Sequence, residues 1–159
     1  MHSRAAELIA TLDLKPHPEG GFYREIFRSA LRVQPDDDRG ERSALTTIYF
    51  LLPGGAVSRW HRVSSEEVWH LYEGGPLELL EIDTELRNLE RHTLAAVGPG
   101  RRPVHTVTAN RWQAARSLGD YALVGCTVGP GFEFADFRML DDNEGATISR
   151  RWPEVAPFV

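Results

Sequence analysis

The sequence has one cysteine, Cys126, among its 159 residues, so no disulfide can form within the chain. It has no apolar run approaching the roughly 18–20 residues that a membrane span needs. Its first residues, Met-His-Ser-Arg-Ala-Ala-Glu, are polar and hold none of the apolar core of a secretory signal. Long basic runs are missing too: Arg101-Arg102 and Arg150-Arg151 stand as isolated pairs, and the net charge is −5. That excludes the electrostatic footprint of a nucleic-acid binder. There is no internal repeat, linker or low-complexity segment. These absences leave one globular domain, long enough for a real core and short for two. The expected setting is a reducing cytoplasm, with neither membrane nor nucleic acid as partner. Cys126 lies in Ala-Leu-Val-Gly-Cys-Thr-Val, a buried-strand pattern, and reads as structural, since a reactive thiol needs an accessible, electropositive site.

What the chain does have is a series of short strands punctuated by glycine and proline. Residues 3–12 read as one helix, with Ala5, Leu8, Ile9 and Leu12 at helical spacing and Ser3 as cap. Phe22–Arg28 alternates as a strand, Phe22, Arg24, Ile26 and Arg28 opposing Tyr23, Glu25 and Phe27. Residues 30–42 form a charged loop whose Asp36-Asp37-Asp38 reads as a solvated, mobile tip. Strands follow at 45–52, 57–61, 68–72, 77–82, 86–93, 104–107, 111–115, 121–128 and 132–139, and a short helix at 145–152. This pattern predicts an all-β sandwich or barrel.

The most informative stretch is Gly55-Ala-Val-Ser-Arg-Trp-His61-Arg-Val-Ser-Ser-Glu-Glu67-Val-Trp-His-Leu-Tyr-Glu-Gly74. Its spacing resembles the first cupin motif, G-x5-H-x-H-x3-E-x6-G. Gly55, His61, Glu67 and Gly74 occupy four of the five fixed positions, and Val63 stands at the second histidine. Around the second motif, Thr108, Asn110 and Gln113 replace the usual proline, glycine and histidine; Asn110 can still take the left-handed turn conformation. The HPEGGFYRE segment, the IYFLL strand, WHR…EEVWH and the late GFEFADF together resemble Cupin family 5 from about Leu14 to Met139. The resemblance implies a single-domain jelly-roll β-barrel with a short N-terminal helix, close to the deoxysugar-epimerase cupins. It also implies a small-molecule pocket and a homodimer.

Several residues are candidates for chemistry. The resemblance points Glu67 into the barrel beside His61, an imidazole–carboxylate pair suited to general acid–base work. Tyr49 and Tyr23 are candidates for a partner acid, as in epimerase cupins that use no metal. Tyr23, Glu25 and Arg28 partly face the pocket or a partner subunit, where an arginine could hold a carboxylate or phosphate. Ser58, Trp69, His70, Trp112 and Gln113 are further candidate ligand contacts, Trp69 because it shares the Glu67 face. His70 on the opposite face also suits a hydrogen bond in the outer layer. Asp136 is expected to pair with Arg28 or Arg59. No cofactor is expected. A divalent metal, if held, would use His61, Glu67 and Gln113, with His105 on another strand as a further imidazole; a firm site wants three or four good ligands. Three functions remain open: a metal-free isomerase or epimerase on a sugar-like or carbonyl-bearing metabolite, a metal-dependent oxygenase-like enzyme, and a metabolite-binding module without catalysis.

Overall fold

The computed structural model describes all 159 residues. Helix α1 spans Ser3–Thr11. Its cap is His2, not Ser3: the His2 Nδ1 accepts from the Arg4 backbone N–H. The strands are β1 (Lys15–Pro16), β2 (Phe22–Arg28), β3 (Arg32–Val33), β4 (Arg42–Ser43), β5 (Thr46–Pro53), β6 (Val57–Val63) and β7 (Glu66–Gly74). Then come β8 (Leu77–Ile82), β9 (Leu89–Leu94), β10 (Arg101–Arg102), β11 (Val104–Val107), β12 (Trp112–Ser117), β13 (Tyr121–Gly129) and β14 (Phe137–Met139). Residues expected as one strand from 132 instead make a 3-10 turn, Phe134–Asp136, before β14. Helix α2, Asp142–Arg151, starts on a capping box made by Asp141 and Glu144.

Two six-stranded sheets face each other, in the orders β1-β2-β5-β13-β7-β11 and β10-β9-β8-β12-β6-β14. Period-two alternation sends Phe50, Leu52, Trp69, Leu77, Leu79 and Val124 into the space between them. The outer faces are covered by the chain's own ends. Under α1, Ala5 and Leu8 pack on Leu51 and Leu123. Under α2 and the C-terminal 3-10 segment (Pro153–Phe158), Ile148, Val155 and Phe158 pack on Trp60, Leu80, Ile82 and Trp112.

Two irregularities re-aim side chains. In β2 the register slips between Glu25 and Phe27, so strict alternation fails and Arg28 joins Tyr23 and Glu25 on the inner face. In β6, Ser58 lies opposite Ala115 and His61 opposite Gln113. The extra β6 residue turns both Ser58 and His61 inward, as a bulge does. Asn110 takes the left-handed conformation expected of it, with φ 67°.

The 30–42 loop differs from the mobile tip expected. The three aspartates are exposed, but Arg39 binds Asp37 and donates to Ser65 Oγ, and Arg42 grips Asp136 through two bonds of 2.8 Å. Asp136 therefore pairs with Arg42 and, at 3.5 Å, Arg39. It does not pair with Arg28 or Arg59, because its 3-10 turn faces the loop. Arg28 instead binds Glu25 and Glu133, and Arg59 donates to the Pro18 carbonyl.

Candidate functional site

The site is assembled by the N-terminal segment as much as by the barrel. Pro18 to Gly21 crosses from β1 to β2 pressed against β6. Gly20 has φ 112°, and a Cβ there would lie 2.2 Å from the Val57 carbonyl oxygen. Only glycine permits that approach. The Arg59 backbone N–H donates to the Glu19 carbonyl at 2.8 Å, pinning the segment. Glu19 is thereby inserted between the sheets, 6% exposed. Its Oε1 accepts from Ser58 Oγ at 2.7 Å and its Oε2 lies 3.0 Å from His61 Nε2.

His61 is 2% exposed. Its Nδ1 is 2.7 Å from the Arg59 carbonyl; a carbonyl only accepts, so Nδ1 carries the proton and Nε2 faces Glu19 with its lone pair. Burial pushes the Glu19 carboxyl up to about 8 and pushes the imidazole down. Both causes favour a neutral pair, a carboxylic acid donating to an unprotonated nitrogen. His17 lies alongside, its Nδ1 accepting from the Glu19 N–H at 3.2 Å, and burial lowers it to about 4.

Glu67 forms a second buried centre. The Trp69 indole N–H donates to Gln113 Oε1 at 2.9 Å, which fixes the amide so that its NH2 group donates to Glu67 Oε2. Burial raises the pKa of this carboxyl, and it likewise raises that of the buried Cys126 thiol. No hydrogen bond or ion pair joins Glu67 to His61. The carboxylate that touches His61 is Glu19.

A cavity of about 410 Å³ opens over these groups. His61, Glu67, Glu19, His17 and Cys126 line its polar floor, with Val63 in the wall; Phe132, Phe134 and Phe137 make an apolar side. Phe137 stacks on the His61 ring at 5.5 Å. Lys15, Arg24, Arg28, Asp13, Glu25 and Glu133 ring the mouth. Lys15 is paired with Asp13, and Arg28 with Glu25 and Glu133. Arg24 has no carboxylate partner and donates only to the Leu12 carbonyl.

Of the residues expected at the site, His61, Glu67, Tyr23, Glu25 and Arg28 line this cavity. Ser58, Gln113 and Trp69 stand behind it, holding the carboxyls. Tyr49 does not reach it. It lies opposite Gly125 on the outer face of β5, in edge contact with Tyr72, because Ile48 and Phe50 take the inward positions. His70 stacks on Tyr72 on that same outer face. Trp112 is buried beneath the C-terminal segment, with Arg62 and Arg138 over its ring. Glu19 and His17 were missed by sequence reasoning, although the Pro-Glu-Gly-Gly run carries the backbone signal that places them.

The three residues proposed as metal ligands do not fit that task. Both ends of the Gln113 amide are already bonded, and Val63 offers no donor. Only Glu81, His92 and His105 bring three donor atoms within 4.8 Å of one another. His105 thus faces Glu81 and His92, away from His61.

Two facing sheets closed around a cavity, with His61 and Glu67 entering from consecutive strands, define a cupin. The chain belongs to the family described as Cupin superfamily (DUF985), whose model matches residues 6–140. It is similar to a hypothetical protein from Leishmania major, 31% identical over 98% of this chain and 96% of that one, with a TM-score of 0.84. A protein from Shewanella oneidensis is 32% identical over 97% of this chain and 95% of its own, with a TM-score of 0.85. Oxalate decarboxylase from Bacillus subtilis is 13% identical, with a TM-score of 0.59 over 93% of this chain and 37% of its own, a likeness of fold alone. No curated protein matches the sequence. No helix is long and apolar enough to cross a membrane.

Proposed function

We propose that this protein is a small-molecule-binding cupin that moves protons on a carbonyl-bearing, singly anionic metabolite, as an isomerase or epimerase without a metal in its cavity. The observation that carries this reading is the cavity floor. Glu19, His61 and Glu67 are buried, face one opening, and are pushed towards their neutral forms. Carboxyl groups raised towards neutrality are the ones that exchange protons in general acid–base catalysis. Glu19 and His61 act as a unit. The carboxyl proton passes to Nε2, and the carboxylate so formed takes a proton from a substrate carbon beside a carbonyl. Glu67 or Tyr23 returns a proton to that carbon, and solvent restores the starting state. His61 is then a proton store, and Glu19 is the group that meets the substrate. Arg24, the mouth cation without a carboxylate partner, receives the anionic group.

A thermal-shift screen of sugar nucleotides and keto acids finds ligands; each is then incubated in D2O and followed by proton NMR. The expected result is exchange of the proton beside the carbonyl, lost in Glu19→Gln and in His61→Ala. Exchange undiminished in both variants refutes the mechanism. A second reading, a binding module without catalysis, is favoured by the fact that both His61 nitrogens are already bonded. Stabilisation by a ligand with no exchange or product supports it.

The homodimer rests on the β2 edge. Strand β1 pairs only with Tyr23 and Phe22, leaving the rest of β2 open beside exposed Ile26, Phe27 and Leu31, a surface suited to strand addition by a second copy. Light scattering should give twice the 17.9 kDa chain mass; a monomer at all concentrations refutes it.

A further inference from the structure

We propose that Glu81, His92 and His105 form a binding site for a divalent transition metal, separate from the cavity, that clasps the two sheets together. Glu81 lies on β8, His92 on the neighbouring β9 and His105 on β11. Strands β8 and β9 belong to one sheet and β11 to the other, and β9 and β11 share no ladder. The three side chains therefore meet across an open seam of the barrel.

The geometry is that of converging donors. His105 Nε2 lies 2.6 Å and His92 Nε2 2.8 Å from the same oxygen, Glu81 Oε2. The two imidazoles stack at 3.7 Å with 22° between their planes. One oxygen serves both rings poorly. The His92 nitrogen is buried and, despite the short distance, has no well-directed hydrogen bond; direction decides here, since a misaligned contact is weak. A cation at the convergence point would use both nitrogen lone pairs and the carboxylate at once.

The surroundings suit a dication. Arg111 Nε binds Glu81 Oε1 at 2.9 Å, leaving Oε2 for the metal and fixing the carboxylate from behind. Arg111 also binds Glu90, whose other oxygen is 3.8 Å from His92 Nε2. Two carboxylates against one guanidinium leave a formal charge of −1 beside the two imidazoles. Bonds of about 2.0–2.2 Å in a tetrahedron put ligand atoms about 3.4 Å apart, so the present contacts of 2.6 and 2.8 Å need to open by roughly 0.6–0.8 Å. The histidine side chains are 26% and 27% exposed, which leaves them room to turn. Two imidazoles and one carboxylate suit Zn2+, Co2+ or Ni2+ and disfavour Mg2+ and Ca2+, which prefer all-oxygen sets. The partly open side leaves a fourth position to water or Glu90.

The test uses the full chain, stripped with chelator and dialysed. Zn2+ and Co2+ are titrated by calorimetry, with Co2+ also followed by its visible absorption, and the melting midpoint is read with and without Zn2+. One equivalent of Zn2+ per chain is expected, with a raised midpoint and the intense absorption of four-coordinate Co2+. His92→Ala and His105→Ala should lose stoichiometric binding, the absorption and the shift in midpoint. Where either fails to fold by circular dichroism, the Gln variant at the same position replaces it. His61→Ala should bind Zn2+ as the parent does. Weak, non-saturating binding in the parent overturns the proposal, as does binding that survives both seam variants or disappears in His61→Ala.

Discussion

Replacing Glu19 by glutamine should remove a specific slope from the pH dependence of stability. The carboxyl is wholly buried, and its pKa is raised from an ordinary 4.5 to about 8. Below pH 4.5 the folded and unfolded chains both carry the proton, and the group costs nothing. As pH rises, the unfolded chain ionises first, so the folded state loses relative stability until its own carboxyl ionises near pH 8. At about 1.4 kcal/mol per pH unit, the full span amounts to roughly 5 kcal/mol. His17, lowered to about 4, acts in the opposite sense, destabilising the fold as pH falls below 6.5, and the lowered His61 acts likewise. The interval from pH 6.5 to 8 therefore isolates the carboxyl side, where Glu19 alone contributes a loss of about 1.5 kcal/mol. Glutamine copies the protonated acid: its amide N–H can donate to His61 Nε2, and its oxygen can accept from Ser58. The variant should match the parent only below pH 4.5, be the more stable of the two by about 2.7 kcal/mol at pH 6.5, and widen that lead by about 1.5 kcal/mol by pH 8. Urea denaturation of both proteins across the interval reads this directly. Glu67, also raised by burial, contributes a slope to both, so the difference between the two curves is the diagnostic quantity. Curves that fall in parallel would refute a protonated Glu19 donating to His61.

Gly20→Ala should cost about 3 kcal/mol, because its Cβ would meet the Val57 carbonyl oxygen at 2.2 Å in a conformation that L residues rarely adopt; a urea midpoint equal to the parent's would contradict the account of how Glu19 is placed. Trp69→Phe strips the donor from Gln113 Oε1 and should destabilise by about 1–3 kcal/mol, the cost of an unsatisfied buried acceptor. Asp136→Ala releases Arg42 and Arg39, with an expected loss of about 2 kcal/mol and faster proteolysis within residues 30–42; unchanged cleavage would show that the loop is held by other contacts. Arg24→Gln should weaken an anionic ligand of the cavity about tenfold, the loss of one charge-assisted bond, with little change in its affinity for a neutral analogue.

The strands were legible because alternation and glycine-proline breaks are local signals. Phe22–Arg28, Leu77–Ile82 and Val104–Val107 were read to the residue. Bulges are not local, since they are defined by the partner strand; the slip in β2 that turns Arg28 inward and the one in β6 that turns Ser58 inward could not be read from alternation. The face of Glu67 was read correctly, and so was the left-handed turn at Asn110. Tyr49 was misplaced because either face of an apolar strand such as Thr46–Pro53 can be the inner one, and here Ile48 and Phe50 are. Pairing between distant charges was the least legible feature. Asp136 meets Arg42, 94 positions away, and nothing in either neighbourhood announces it.

The role of Glu19 ties the altered motif to the proposed chemistry. The resemblance to metal-holding cupins implies an ion held by lone pairs converging from the positions of His61, Val63, Glu67 and Gln113. Here Val63 contributes a methyl surface to the cavity wall, and Gln113 spends its amide on Glu67 and Trp69. His61 Nε2, the nitrogen that would turn to a metal, already meets a carboxyl 3.0 Å away. That carboxyl arrives on a segment from outside the barrel, through a gap that only Gly20 leaves open. A buried dication would hold Glu19 and Glu67 ionised. Where no such ion is held, burial pushes both carboxyls towards neutrality, where a modest change in surroundings decides their charge. A bound anion at Arg24 would supply such a change, favouring the protonated floor and closing water out of the cavity. Ligand binding should therefore take up protons between pH 7 and 8, detectable as a buffer-dependent heat in calorimetry. Heat independent of buffer ionisation enthalpy would separate the ligand from the floor groups and leave the cavity as a passive container.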